Sequence, residues 1–339
     1  MTGSTFKIAV IVNCYNYAEY VERAIRSVLA QNRSDCELVV VDDGSTDASW
    51  EVISRTGVTA YRIGNSGQRR ACAYGLDRTT APFVLFLDAD DELAPGALDA
   101  IVPHLQPSIA KVQFCLSRVD GGSTSLGSAV PEPKLIREPG DLRERVRRTG
   151  VYVSPPTSGN VFRRDLCELL RDADYDDAVD GIIILAAPFF GEVVSLPVEL
   201  GLYRVHNRNM SGVGRTIDVD KIEQHMKRFE KLIDHLNTVM PKDSKSRQLD
   251  VKRTFFYLEK KLILASINGE TNRYSQLPSL IGVIAQEYFS LPKKLVLSLF
   301  HILVALLPVS MSRHLIDIRF RPEQRSARAL AKALTGGLA

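Results

Sequence analysis

The sequence predicts an α/β fold built on a mostly parallel, twisted sheet with helices on both faces. Four apolar, β-branched segments (6–13, 37–41, 59–63 and 82–87) alternate with three segments of helical periodicity, an order typical of parallel sheets. These strand segments lack the apolar–polar alternation of half-exposed strands, which indicates burial on both faces. Acidic residues follow the second and fourth segments, at the edge where such sheets bind ligands.

The remaining elements are less regular. Early helices are expected at 20–31, 49–55, 68–77 and from Pro95. The next segments predict a strand at 112–116, a loop at 121–140, a basic helix at 141–148 and a loop at 154–160. Helices near 166–170 and at 182–190 and strands at 193–198 and 202–206 are expected after them. Long periodic stretches at 222–236, 249–267, 280–289 and 295–307 predict an all-helical C-terminal part. We therefore expect one α/β domain over 1–215, with halves 1–110 and 111–215, and a helical region over 216–339.

Composition limits the class of protein. The chain has 339 residues and a formal net charge of +3, too small to indicate nucleic-acid binding. Its five scattered cysteines lack Cys-x-x-Cys spacing, which favours buried, reduced thiols over disulfides or zinc. Residues 1–7 show no signal-peptide pattern, so a cytoplasmic protein is expected.

Asp88, Asp90 and Asp91 follow the apolar strand segment directly. Carboxylates at such close quarters repel one another unless a cation lies between them, and oxygen ligands suit Mg²⁺ or Mn²⁺. The pattern predicts a metal–diphosphate site at the end of this strand. The alternative is a surface turn that caps the following helix.

Together with this acidic turn, four further motifs carry a family resemblance: Tyr15-Asn16, Val40-Val41-Asp42-Asp43-Gly44-Ser45-Thr46-Asp47, Asn65-Ser66-Gly67 and Tyr203-Arg204-Val205-His206. Over about residues 6–212 the chain resembles the family 2 glycosyltransferases, which have the GT-A fold. The resemblance implies a metal-dependent, inverting enzyme of the hexosyltransferase type. It would move a sugar from a nucleotide-diphosphate donor, commonly a UDP-sugar, to a hydroxyl acceptor in polysaccharide, cell-surface glycan or glycolipid synthesis.

The resemblance assigns a donor site to the ends of the first four strands. Asp43 would accept a hydrogen bond from the base, with Asp42 beside it and Tyr15 packed on the ring. The other donor-site residues are Asn13, Asn65, Gly67, Arg69, Arg70 and Asp88, of which the arginines suit a diphosphate. The sequence departs from the family at Asn13-Cys14 and at Ala71-Cys72-Ala73. A turn with a helix cap, a core tyrosine and solvated arginines are the competing interpretations.

The resemblance also implies the metal ligands and the base. Asp90 would ligate the divalent ion, Mn²⁺ or Mg²⁺, and His206 would ligate it or donate to phosphate, unless it is an ordinary surface or core histidine. Asp180, which opens the segment at 182–190, is expected to be the general base, although Val179 replaces the usual Glu. Asp177 offers a competing register, and a structural helix cap is the third interpretation.

The apolar run 295–307, behind Lys293 and Lys294, is short of the ~20 residues that span a bilayer. It suits an interfacial helix at the inner face of an anionic membrane, or a buried or dimer-forming helix. Two alternatives to a transferase stay open: a silent nucleotide-sugar-binding scaffold of the same fold, and a sugar-phosphate nucleotidyltransferase. The latter is disfavoured because no Gly-rich, basic loop follows the first strand.

Overall fold

The computed structural model describes residues 6–137, 140–176, 178–206, 219–241, 248–287 and 289–320. Within these ranges nine strands form one sheet, in the order β3-β2-β1-β4-β8-β6-β9-β5 with β7 paired to β6. The strands are β1 (Ile8–Cys14), β2 (Cys36–Asp42), β3 (Ala60–Arg62), β4 (Phe83–Asp88), β5 (Glu92–Leu93), β6 (Ile109–Val119), β7 (Ser125–Val130), β8 (Asn160–Arg163) and β9 (Glu192–Arg204).

The sheet is mostly parallel, as the sequence predicts. Strand β1 pairs in parallel with β2 and β4, and β2 with β3. Strand β8 is antiparallel to both β4 and β6, so β6 runs in the direction of β4, and β9 is parallel to β6. In the described chain only β5, β7 and β8 therefore run the other way.

Helices cover both faces of the first half of this sheet. The helices of this part are α1 (Val21–Leu29), α2 (Ser49–Arg55), α3 (Gln68–Leu76), α4 (Ala97–Ile101), α5 (Pro133–Ile136), α7 (Arg164–Cys167) and α8 (Gly181–Phe190). On one face, Val21 and Ile25 of α1 pack with Val10 and Val12 of β1. On the other face Gly75 of α3 lies so close to Ile11 that an added Cβ would meet it at 2.5 Å. This two-sided packing explains the continuous apolar run of β1.

Two expectations for the second half were wrong. The segment 121–140 is not all loop, because β7 and α5 form in it. Strand β7 is small and exposed, and it is held by its pairing with β6 rather than by its own periodicity. The two strands expected at 193–198 and 202–206 are one strand, β9, whose register against β6 shifts between Leu196 and Glu199. Pro197 lies in this bulge, where its missing N–H costs no ladder hydrogen bond.

The chain divides into two compact units, one of residues 1–138, 152–207 and 235–246, and one of residues 139–151, 208–234 and 247–339. The second contains α6 (Leu142–Thr149), α10 (Phe255–Ile267), α11 (Leu277–Gln286), α12 (Leu291–Leu306) and α13 (Val309–Phe320), while α9 (Val219–Val239) starts in it. Its core is apolar and includes Leu262, Ile263 and Ile284. The predicted domain boundary near residue 215 lies outside the described residues.

Two further sequence expectations meet the structure here. All five cysteines except Cys36 are buried, so the prediction of buried thiols is confirmed for four of them. Among the described helices, each is too short or too polar to cross a bilayer.

Candidate active site

The acidic motifs meet because their strands are neighbours. At the C-terminal end of β1, Asn13 lies opposite Asp88 of β4, and Cys14 lies opposite Asp42 of β2. Adjacent strands are about 4.8 Å apart, so the acids that end β2 and β4 flank the end of β1. The charges of Asp88, Asp180 and Asp43 all reinforce the effect of burial in raising the pKa of Cys72 on α3. Three of the predicted acids thus lie near one buried thiol.

The turn after β4 gathers three carboxylates. Asp88, Asp90 and Asp91 each place an oxygen so that these atoms lie within 4.8 Å of one another. Asp90 and Asp91 are buried, with exposures of 7% and 1%. The helix-cap interpretation fails here, because the following helix α4 begins only at Ala97 and its N-cap is Gly96.

His206 approaches this turn from the end of β9. Its Nε2 lies 2.9 Å from Oδ2 of Asp90, and its ring stacks on Tyr20 with centroids 5.4 Å apart. Tyr17 covers it from a second side, at 5.7 Å. The two tyrosines fix the ring orientation, so His206 belongs to the acidic turn and is not an isolated histidine.

Arg204, two residues before His206, makes several hydrogen bonds to the acidic turn. It was assigned no role from the sequence. It is 0% exposed and its backbone N–H donates to Oδ1 of Asp91 at 3.0 Å. Its Nε donates to the Asp90 carbonyl at 3.0 Å, and a terminal nitrogen pairs with Glu92. Tyr20 lies 5.1 Å from the guanidinium. Arg204 is the arginine of the Tyr-Arg-x-His motif itself, and this membership was the available signal.

Two amide side chains donate hydrogen bonds to Asp88, which favour its charged form beside the neighbouring carboxylates. Its Oδ1 accepts from Asn13 at 3.2 Å and from Gln68 at 2.6 Å. Burial first, and then the charge of Asp90, raises the pKa of Asp88 to about 7, against these two hydrogen bonds. Burial likewise raises the pKa of Asp91. Gln68 was missed from the sequence, since its place beside Asp88 depends on how α3 docks.

The residues predicted to bind the nucleotide base lie in two adjacent turns, one after β2 and one before α3. Asp43 accepts from the N–H groups of Ser66 and Gly67, each at 2.8 Å, so it organises the loop that precedes α3. Gly44 has φ +71°, and an added Cβ would meet the Asn65 backbone nitrogen at 2.6 Å. Only glycine therefore allows the two turns to touch.

Other predicted donor residues take different places around these turns. Asp42 is fully buried and pairs with Arg62 at 3.2 Å, so it supports the turn from inside. Tyr15 is 43% exposed, which excludes the core-tyrosine alternative. Arg69 donates to the carbonyl of Leu170 at 2.7 Å, whereas Arg70 is exposed.

Asp180 immediately precedes α8 but makes no side-chain capping hydrogen bond to the described helix. Burial raises its pKa, against a hydrogen bond with Thr157 and the positive charge of Lys111. The charge of Asp180 in turn contributes to the raised pKa of Asp88, so the two acids share one region. Val179 is fully buried, and the competing base Asp177 lies outside the described residues.

Lys111 of β6 forms a buried polar network beside Asp180. Its Nζ lies 2.8 Å from Gln113 Oε1, 3.2 Å from Tyr152 Oη and 2.8 Å from Ser154 Oγ. The Tyr152 hydroxyl donates to the Ile184 carbonyl of α8, so it can only accept from Lys111. Three acceptors match the three protons of an ammonium group, while burial lowers the pKa of Lys111.

The residues of the acidic turn fit a divalent cation. Three carboxylate oxygens lie within 4.8 Å of one another, and carboxylates are the ligands that suit Mn²⁺ and Mg²⁺. An imidazole nitrogen lies 2.9 Å from one of the carboxylates. Asp90 and His206 could hold such an ion, with Asp88 and Asp91 adjacent.

Sequence comparison connects this geometry with known proteins. The family model described as "Glycosyl transferase family 2" matches residues 9–169. An uncharacterized glycosyltransferase of Nostoc sp. is 34% identical over 264 residues, 74% of this chain and 81% of that protein. A Campylobacter jejuni protein named GalNAc(5)-diNAcBac-PP-undecaprenol beta-1,3-glucosyltransferase is 34% identical over 126 residues, which cover 34% of this chain and 40% of that protein.

Structural comparison agrees on the fold. Residues 1–349 of S. aureus TarS, crystallised with UDP-GlcNAc, superpose with a TM-score of 0.56 at 16% identity, covering 93% of this chain and 91% of that one. At this identity the likeness concerns the fold alone, which is the GT-A fold. The chain belongs to glycosyl transferase family 2 and is a glycosyltransferase.

Proposed function

We propose that this glycosyltransferase is metal-dependent and inverting, and that it transfers a sugar from a nucleotide-diphosphate donor, a UDP-sugar, to a hydroxyl acceptor. The observation that supports this most is the contact of 2.9 Å between His206 and Asp90 inside a group of three carboxylates. It joins the end of β9 to the end of β4, 116 residues away, in a donor set suited to a cation that also binds diphosphate.

The nucleotide would lie along the ends of β1 and β2. Tyr15 is exposed enough to pack on a base. Oδ1 of Asp43 accepts from both the N–H and the hydroxyl of Ser66, whereas Oδ2 accepts, among the described residues, only from the Gly67 N–H and keeps a lone pair. Asn13, at the end of β1, donates to Asp88 of the acidic turn and so connects this end with the turn. Arg70 is free to approach a diphosphate, while Arg69 contributes by fixing α3.

The chemistry assigned to Asp180 is proton acceptance. As the acceptor oxygen bonds to the anomeric carbon and the sugar–phosphate bond breaks, the hydroxyl proton passes to the Asp180 carboxylate. Burial raises the pKa of Asp180, which makes its carboxylate a stronger base than an exposed aspartate. A bound divalent cation supplies Lewis-acid stabilisation of the departing diphosphate, and Asp90 and His206 would hold it.

We propose a glycan or lipid-linked acceptor in cell-surface glycan synthesis, and a cytoplasmic location. The acceptor class is suggested by the printed name of the Campylobacter relative, which specifies an undecaprenol-linked saccharide. The silent-scaffold alternative is less well supported, since the chain retains Asp90, His206 and Asp180. The departures at Cys72 and Val179 lie in the core.

Calorimetric titration of UDP with and without Mn²⁺ tests the donor and metal assignments. We expect UDP binding to require Mn²⁺ and to be lost in Asp90→Ala. Asp180→Asn should retain UDP binding and lose sugar transfer from the donor selected by a thermal-shift screen of nucleotide sugars. Asp174→Asn, at an exposed position of the same acidic segment, is the matched control and should keep both.

Two results would contradict the assignments. Metal-independent UDP binding that survives Asp90→Ala would remove the metal from the proposal. Full transfer by Asp180→Asn would place the base elsewhere.

A further inference from the structure

Helix α12 exposes an apolar stripe along its whole length. Leu291, Leu295, Leu299 and Leu306 are 69%, 61%, 56% and 63% exposed, and Ile302 lies between the last two. The spacing of four, four, three and four residues places the five side chains on one face of a helix. These five residues are called the α12 stripe. Val296 beside it is 67% exposed.

The opposite face of α12 is anchored in the helical unit. Leu297, Val304 and Ala305 are buried in its core. His301 is 0% exposed, and its Nε2 lies 3.1 Å from Oε1 of Glu259. Because this face is fixed by packing and by a buried polar contact, rotation of the helix cannot hide the stripe. A stripe of five large apolar side chains in water indicates a partner surface.

The charges around the stripe are positive. Lys293 and Lys294 lie in the first turn of α12, where the helix dipole disfavours cations unless anions are near. Lys294 donates to the Ala285 carbonyl at 2.7 Å, and Lys293 lies 3.9 Å from the Phe289 ring centre. Between residues 271 and 316 the one carboxylate of the sequence is Glu287, which is buried and paired with Arg145.

The sequence beyond α12 is also basic. Residues 320–339 contain one acidic residue, Glu323, and four basic residues, Arg321, Arg325, Arg328 and Lys332. An apolar stripe whose neighbouring sequence is rich in cations and poor in carboxylates is complementary to a surface that is apolar below and anionic above. That is the chemistry of a bilayer interface with anionic lipids.

We propose that the α12 stripe docks the protein on the surface of an anionic membrane, with α12 lying in the plane of the interface. The helix has 16 residues, about 24 Å at 1.5 Å per residue, which is less than the ~30 Å of a hydrocarbon core. One of its faces is also held in the protein. The leucines would enter the acyl boundary while the lysines meet lipid phosphates. This docking does not depend on the transfer reaction.

Co-sedimentation of the full chain with vesicles tests the proposal in the absence of donor. We expect binding to vesicles of equal parts phosphatidylglycerol and phosphatidylcholine, and weak binding to phosphatidylcholine alone. Leu295→Glu/Leu299→Glu should abolish binding, and Lys293→Glu/Lys294→Glu should weaken it by about tenfold or more. Leu126→Glu, at an exposed leucine of β7 (45% exposed), is the matched control and should bind normally.

Salt provides a second measurement that needs no variant: binding of the unmodified chain to the anionic vesicles should fall as NaCl rises. The proposal is overturned if the unmodified chain stays in the supernatant with anionic vesicles. It is also overturned if light scattering shows a dimer that Leu295→Glu/Leu299→Glu converts to a monomer while vesicle binding is unchanged, because the stripe then serves a second copy.

Discussion

Arg204 donates from its Nε to the backbone carbonyl of Asp90, with the two atoms 3.0 Å apart. The same arginine pairs with Glu92, so one buried guanidinium ties the end of β9 to the turn between β4 and β5. His206 and Asp90 are therefore brought together by a scaffold contact and not by their own 2.9 Å contact alone. Loss of this scaffold should affect both stability and the site.

Arg204→Met tests that role. It leaves the Glu92 carboxylate and the Asp90 carbonyl without their donor in a buried place, and removal of one partner of a buried pair costs about 3–5 kcal/mol. Urea denaturation should show that loss in the free energy of unfolding. Arg26→Ala removes an exposed ion pair with Glu22 and should cost less than about 1 kcal/mol. Equal losses of unfolding free energy in the two variants would mean that Arg204 contributes no more to stability than an exposed ion pair does.

Gly44→Ala probes the close approach of the two donor-site turns. Gly44 and Gly57 have nearly the same φ, +71° and +72°, but a Cβ at Gly44 would meet the Asn65 nitrogen at 2.6 Å, whereas a Cβ at Gly57 meets nothing within 4 Å. Both substitutions carry the strain of a left-handed conformation, about 1 kcal/mol. We expect Gly44→Ala to be less stable than Gly57→Ala in thermal denaturation and to bind UDP more weakly. Identical melting temperatures and UDP affinities would show that the turns can separate freely.

Lys111→Met tests the electrostatic effect of the buried ammonium on the proposed base. The charge of Lys111 lowers the pKa of Asp180 against burial. Without that charge the pKa of Asp180 rises, and since Asp180 must be ionised to accept a proton, the acid limb of the kcat/KM profile should move to higher pH. Ser154→Ala removes one acceptor of Lys111 but keeps the charge. The acid limb of the kcat/KM profile of Ser154→Ala should coincide with that of the unmodified chain. An acid limb that does not move in Lys111→Met would contradict the assignment of Asp180 as the base.

Glu259 gives the helical unit a pH-dependent contribution to stability. Burial would raise its pKa, but the hydrogen bond with His301 and the charge of Arg319 lower it to about 2. Because this value lies below the ~4.3 of an unfolded chain, the stabilisation is present above pH ~4.3 and is lost as pH falls toward ~2. Nδ1 of His301 lies 2.7 Å from the Leu297 carbonyl oxygen, and its Nε2 lies 3.1 Å from Oε1 of Glu259.

Glu259→Gln should therefore be less stable than the unmodified chain at pH 7 by about 3 kcal/mol, and the difference should shrink as the pH is lowered through the acid range. Chemical denaturation at a series of pH values measures it. Glu270→Gln, at an exposed position, is the control and should show little difference at any pH. A difference between Glu259→Gln and the unmodified chain that is constant with pH would argue against an ionised Glu259.

The first half of the fold followed from local patterns. Strand β4 was expected at 82–87 and lies at Phe83–Asp88, and α2 has the bounds expected for it. Such segments are buried on both faces or show clear helical periodicity, so their residue types record their environment directly. The second half was less predictable. Strand β7 exists because β6 offers it an edge, and β9 continues through a bulge that resembles a strand end in the sequence.

The sequence by itself determined the alternation of the first four strands with helices, the acids at the ends of these strands and the family, because these depend on residue types at positions close together in the chain. Only the tertiary structure decided that Arg204 supports Asp90, that Gln68 meets Asp88 and that Lys111 lies buried near Asp180. Each of these relationships joins residues far apart in the chain, and it depends on the pairing of strands and on how α3 and α8 dock. The packing of distant segments decides such contacts, and local periodicity carries no record of them.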